Sequence, residues 1–86
     1  MKVKQSQVDQ ILEESDLKIF SSFGKSVIIS CKLPNGFVIE GVGSCVDEKE
    51  FDEQIGITVA KERLKDKIWQ LLGYELQIKM FGGLTV

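Results

Sequence analysis

The sequence predicts an α+β domain: an antiparallel sheet with one long helix packed across it and a short helix at the N-terminus. Three observations lead there. β-Branched runs alternate with turn residues between Leu17 and Ser44, and apolar residues recur at helical spacing from Phe51 to Leu72. The chain, at 86 residues, is long enough for one core only. The expected element order is α–β–β–β–α–β, in a single domain over residues 1–86, without repeat, linker or low-complexity segment.

The first element is a helix over Ser6 to Ser15. Ser6 and Asp9 have capping-box spacing, and Val8, Ile11 and Leu12 fall on one face. A helix this short is marginal alone, so it must dock. Leu17 to Phe23 then reads as a strand, Gly24-Lys25 as a turn and Ser26 to Leu33 as a second strand. Pro34-Asn35-Gly36 is a hairpin turn, in which Asn-Gly tolerates the positive φ angles of a two-residue loop. Phe37 to Ser44 returns as the third strand. Gly41 and Gly43 inside it imply a bulge or a close backbone approach.

Five carboxylates follow: Asp47, Glu48, Glu50, Asp52 and Glu53. Acid clusters invite a metal-site or catalytic reading, but these precede the long apolar stripe. The spacing predicts a helix from Lys49 to Leu72 with Asp47 and Glu50 as its capping pair and Gly73 just past its end. Acids at that end are favoured by the helix dipole, at roughly 0.3–1 kcal/mol each, so chemistry is not required to explain them. After Gly73 the chain alternates cleanly. Tyr74, Leu76, Ile78 and Met80 oppose Glu75, Gln77 and Lys79, which predicts a last strand over Tyr74 to Phe81 and an arm over Gly82 to Val86.

Composition narrows the function. Net charge is −2 and Arg63 is the only arginine, which argues against a duplex nucleic-acid binder. The N-terminus lacks the apolar core of a secretory leader, and no apolar run approaches membrane-spanning length. A cytoplasmic protein is expected, with Cys31 and Cys45 free and buried in strands. There is no histidine, no GxxxxGK[ST] loop and no GxGxxG. No catalytic, metal or cofactor set is therefore assigned, and a binding protein is expected rather than an enzyme.

The ordered set Asn35-Gly36-Phe37, Gly41, Cys45-Val46, Phe51-Asp52, Gly56, Ala60, Ile68-Trp69 and Gly73-Tyr74 resembles a family of small tailed-phage proteins. The match spans Asn35 to Leu76. It departs from the family at Asp47, where a proline commonly follows Cys-Val, and at Leu72, where an acid commonly precedes Gly-Tyr. The family is similar to the one that includes the first Thoeris anti-defence protein. The resemblance implies a non-catalytic sponge in the host cytoplasm. Its ligand would be a cyclic nucleotide immune signal, a cyclic ADP-ribose isomer or cyclic oligonucleotides, and it would act as a homo-oligomer, a dimer or an assembly of dimers. The alternative is a phage inhibitor that binds a host defence protein directly.

Four residues are candidate ligand contacts. Phe51, at the start of the long helix, could stack a purine or belong to the core. Lys61 and Arg63, expected on the solvent side of that helix, and Lys79, on the polar face of the last strand, could meet a pyrophosphate or be solvated charges. Arg63 has the added ability to stack or to bind bidentately. Oligomer contacts are expected at the sheet edge and the N-terminal helix.

Overall fold

The computed structural model describes residues 2–45 and 47–82. Helix α1 (Gln5–Glu13) leads into strands β1 (Asp16–Ser22), β2 (Ser26–Lys32) and β3 (Val38–Ser44), a single 3₁₀ turn over Glu48–Glu50, and helix α2 (Glu53–Met80). The fold is α+β, with three antiparallel strands in the order β1-β2-β3.

Helix α1 begins one residue before the expected Ser6. The Gln7 side chain accepts a hydrogen bond from Lys4 N at 2.7 Å, so Gln7 closes the N-terminus in place of the Ser6–Asp9 pair. Its apolar face docks as expected, with Val8 and Leu12 buried. The β1–β2 turn is centred on Phe23 and Gly24, with φ of 54° and 62°, and closed by Lys25 N to Ser22 O at 3.1 Å. Phe23, Gly24 and Lys25 join the strands, since Ser22 pairs with Ser26, and the two positive φ values turn the chain in the sense of the strand twist. The β2–β3 loop, Pro34 to Gly36, also has three residues, where a two-residue loop is expected from Asn-Gly. Gly36 N donates to Leu33 O and Leu33 N to Phe37 O, both at 2.8 Å, and Gly36 takes a φ of 94°. That is a turn closed by a glycine bulge, and only one residue needs the left-handed region.

On the inner face of the sheet, Ile29 stands opposite Ile19 and Gly41, and Val27 opposite Ser21 and Gly43. Helix α2 lies on this face with Gly56, Ala60, Leu64 and Ile68 buried. The expected close approach is realised between β3 and α2. A Cβ on Gly41 would overlap the Ala60 carbonyl oxygen, and one on Gly43 the Gly56 carbonyl oxygen. Two strand residues span ~6.7 Å and the four helix residues from Gly56 to Ala60 about 6 Å, so the two small-residue pairs stay in step. Lys67 Nζ donates to the Glu40 carbonyl on the same strand, and Lys65 pairs with Asp9 at 3.5 Å, tying α2 to α1.

The helix differs from expectation at both ends. It starts at Glu53, not Lys49. The Asp52 carboxylate caps it, accepting from Gln54 N at 2.9 Å and Ile55 N at 3.4 Å, while the Asp47 carboxylate accepts from Lys49 N at 2.9 Å in the 3₁₀ turn. The acids thus serve two successive caps. At the other end, the expected strand over Tyr74 to Phe81 does not form, and α2 continues through Gly73 to Met80. A helix already nucleated extends at little cost through Glu, Leu, Gln and Lys, and one glycine costs only about 1 kcal/mol. The expected arm, apart from Gly82, lies outside the described residues.

Cys31 is free and buried, as expected; Cys45 is free but only half-buried. It lies just past β3, where its N donates to Lys25 O at 2.8 Å and its Sγ–H to Asp47 O at 3.2 Å. No helix among the described residues is long and apolar enough to cross a membrane.

Candidate functional site

Because α2 crosses β3 and β2, it leaves β1 uncovered on the inner face. Ile19 points inward yet is 45% exposed. A groove of about 420 Å³ opens beside it between α1, β1 and α2, lined by Leu12, Ser15, Leu17, Asp9, Glu13, Lys61 and Lys65. That volume falls within the range of small-molecule pockets. Lys65 is held by Asp9 at 3.5 Å and Glu62 at 3.7 Å, whereas Lys61 has no ion pair among the described residues. Of the two cations lining the groove, Lys61 is the one an anion could approach without displacing an ion pair of the described residues, and Asp9 and Glu13 would repel an anion from their side of it.

Two other hollows are less suited to an anion. One of about 360 Å³ is lined by Ile11, Leu33, Pro34, Asn35, Phe37, Ile68, Leu71, Leu72 and Glu75, with Glu75 its only charged side chain. The other, beside Phe51, holds about 70 Å³ and is bordered by Glu50 and Asp52. It is too small for a nucleotide base to enter.

The candidate contacts do not converge within one chain. Phe51 is half-buried and packs against the core, and its ring approaches Gly56. Lys61 is half-buried rather than on the solvent side, and lies in the groove. Arg63 is exposed, and two helical residues, about 200°, turn it to the opposite side of α2. Lys79 sits in the last turn of α2, not on a strand, and its Nζ pairs with Glu75 at 3.1 Å. Eighteen residues of helix place it about 27 Å from Lys61. Sequence reasoning missed Lys65 and the groove itself. The available signal was the Lys61–Lys65 pair at four-residue spacing, flanking the buried Ala60–Leu64 stripe.

Burial raises the Cys31 thiol above its ordinary pKa, and the Ser15 hydroxyl beside it offsets part of that rise. The thiol is thus kept neutral and is a poor nucleophile. Among the described residues no group of three or more acids and thiols is arranged to hold a metal ion.

No curated protein and no solved structure matches the chain. The family model "Phage protein (N4 Gp49/phage Sf6 gene 66) family" matches residues 3–80, from before α1 to the end of α2, and the chain belongs to that phage protein family.

Proposed function

We propose that this phage protein is a sponge. It binds a cyclic nucleotide immune signal in the host cytoplasm, a cyclic ADP-ribose isomer or a cyclic oligonucleotide, and withholds it from the host defence effector without altering it. The observation that supports the reading is the groove between α1, β1 and α2, of a volume common for small-molecule pockets, lined by Lys61, which has no ion pair among the described residues. Lys61 would meet a phosphate and the apolar floor at Leu12 and Leu17 would take a base or ribose. Phe51, Arg63 and Lys79, too far from that groove to share it within one chain, would reach a ligand held between copies.

The test is thermal unfolding with each candidate nucleotide. A ligand of the folded state raises stability by RT ln(1 + [L]/Kd). A shift with one of them, lost in Lys61→Ala, and recovery of the unaltered nucleotide after heat release, would support the sponge. No shift with any nucleotide would overturn it.

A second reading, an inhibitor that binds a host defence protein directly, is favoured by Phe23. Its ring is 92% exposed at the tip of the β1–β2 hairpin, on a backbone held at a φ of 54°. A bulky residue in the left-handed region costs about 1–2 kcal/mol, a strain that recognition sites retain. Under this reading Phe23→Gly raises the melting temperature and abolishes inhibition of the host protein. Under the sponge reading it raises the melting temperature alone.

A further inference from the structure

Charge is not spread evenly along the chain. From Leu17 to Ile39, through β1, β2 and both turns, there are three lysines, Lys18, Lys25 and Lys32, and no acidic residue. All 13 acids lie outside this stretch, so a segment of charge +3 sits in a chain of net charge −2. Three of the five phenylalanines, Phe20, Phe23 and Phe37, fall in the same stretch, and all three are exposed.

The fold brings part of this segment to one open face. Val27, Ile29 and Cys31 point to the core, so Phe20, Ile28 and Val42 point the other way. They stand side by side across β1, β2 and β3. Helix α2 packs on β2 and β3 from the inner side and α1 packs on α2, so neither helix covers the outer face. Phe20 is 53% exposed there. One flanking row holds Lys18, Ser30 and Glu40, and the other the hydroxyls of Ser22, Ser26 and Ser44. Where β1 ends, the chain turns at the exposed Phe23, and Lys25 follows two residues on. Neither Lys18 nor Lys25 has an ion pair among the described residues.

This combination selects its ligand. An apolar row three side chains wide, with polar rows on both sides, is too narrow for a standard protein interface, whose core is depleted of lysine. Aromatic rings with cations beside them suit a polyanion that also offers flat π-faces. In a duplex those faces are stacked on one another and closed to a side chain. We infer that the outer face of the sheet binds single-stranded nucleic acid, with bases stacked on Phe20 and Phe23 and phosphates at Lys18 and Lys25. Side chains on one face of β1 repeat every ~6.7 Å, so Lys18, Phe20 and Ser22 form a track along the strand. The serine hydroxyls add donors for phosphate or sugar oxygens. Glu40 repels phosphate from the β3 side and keeps the nucleic acid over β1 and β2. Lys32 is left out of the track because Asp16 stands opposite it. The face lies across the sheet from the groove that holds Lys61, so the inference stands whether or not the groove takes a cyclic nucleotide.

The experiment is fluorescence anisotropy of the full chain with labelled single strands of about 10 nucleotides, oligothymidine DNA in one arm and oligouridine RNA in the other, beside a duplex of the same length. Both single strands are expected to bind, and the duplex more weakly than either. Binding of either strand supports the site, and a preference for RNA adds a contact to the 2′-hydroxyl. Affinity should fall with salt at a log–log slope of about −1.4, for two phosphates neutralised. Lys18→Gln or Lys25→Gln should each reduce that slope to about −0.7. Phe23→Gly should weaken binding roughly 5- to 150-fold, the loss of one stacked base. That substitution relieves the strained backbone, so the loss cannot come from unfolding. Phe20→Leu, which keeps the row apolar and removes the ring, should weaken binding as well. The inference is overturned if neither strand binds at low salt, or if the duplex binds as tightly. Full affinity in both Phe23→Gly and Phe20→Leu also overturns it, and leaves the hairpin tip to a protein partner. Displacement of the strand by an excess of a cyclic nucleotide would place it in the groove and remove the outer face as the site.

Discussion

Gly43 on β3 and Gly56 on α2 face each other with no room for a side chain on either. A Cβ on Gly43 would overlap the Gly56 carbonyl oxygen, and one on Gly56 would stand 2.8 Å from Val27 Cγ2. With Gly41 and Ala60 one step along, this contact sets how closely the helix lies on the sheet, and so where the groove beside β1 opens.

Alanine substitutions should therefore separate glycines by place. Gly41→Ala and Gly43→Ala meet helix backbone, which has no rotamer to yield, and are expected to cost ~1–3 kcal/mol or more. Gly73→Ala meets nothing and gains helix propensity, so it should stabilise the chain by about 0.5–1 kcal/mol. Urea denaturation of the three variants checks the order. Equal effects at Gly43 and Gly73 would contradict the packing described.

The cap on α2 makes a separate prediction. Asp52 accepts two backbone hydrogen bonds at the start of a 28-residue helix. Asp52→Ala is expected to cost about 0.5–2 kcal/mol, and Asp52→Asn much less, since asparagine also caps. Asp47→Ala, which frees one bond of a 3₁₀ turn, should cost less than Asp52→Ala. Chemical denaturation ranks them, and a larger loss at Asp47 would place the helix start where the sequence alone suggests it.

The two thiols differ in a way that pH exposes. The folded Cys31 thiol holds its proton more tightly than the unfolded one, because burial disfavours the thiolate. Its contribution is complete below the unfolded thiol pKa, about 8.5–9, and is lost as pH rises from there through the folded value. Stability should fall across that alkaline range, and Cys31→Ala should lessen the fall while lowering stability at pH 7. In native labelling Cys45, half-buried, reacts before Cys31. Faster labelling of Cys31 would refute this assignment.

Much of the sheet and the start of the packing were legible because they rest on local signals. The β-branched run at Val27–Ile29 and the turn glycines set the strands, and Gly41 and Gly43 marked the approach of another backbone. The misread end of α2 has a physical cause. Tyr74, Leu76, Ile78 and Met80 alternate as a strand would, yet the same residues on a helix form two apolar sides. Period alone cannot separate a half-buried strand from a helix whose apolar residues fall on two sides. The groove was illegible because it depends on which strand α2 leaves uncovered, a property of the crossing and not of any segment. Lys61 was found as a cation, but its partial burial follows only from that crossing.

The candidate ligand contacts give the last prediction. Phe51 is half-buried against the core, so Phe51→Ala should lower stability by ~1–3 kcal/mol, less than the 3–5 kcal/mol of a fully buried phenylalanine. If Phe51 also stacks a base, affinity falls by roughly a further 1–3 kcal/mol when measured at a temperature where the variant is fully folded. Arg63→Ala and Lys79→Ala, on exposed side chains, should leave the melting temperature within error. On the sponge reading, Lys61→Ala should weaken nucleotide binding most, because its ammonium is the groove cation without an ion pair among the described residues. Its effect should be larger at low salt than at high salt, since screening already removes part of a charge contact at high ionic strength. Titration calorimetry at two salt concentrations measures this. A Lys61→Ala chain that binds as tightly as the wild type would remove the groove from consideration, and loss at Arg63 or Lys79 instead would place the ligand between copies of the chain.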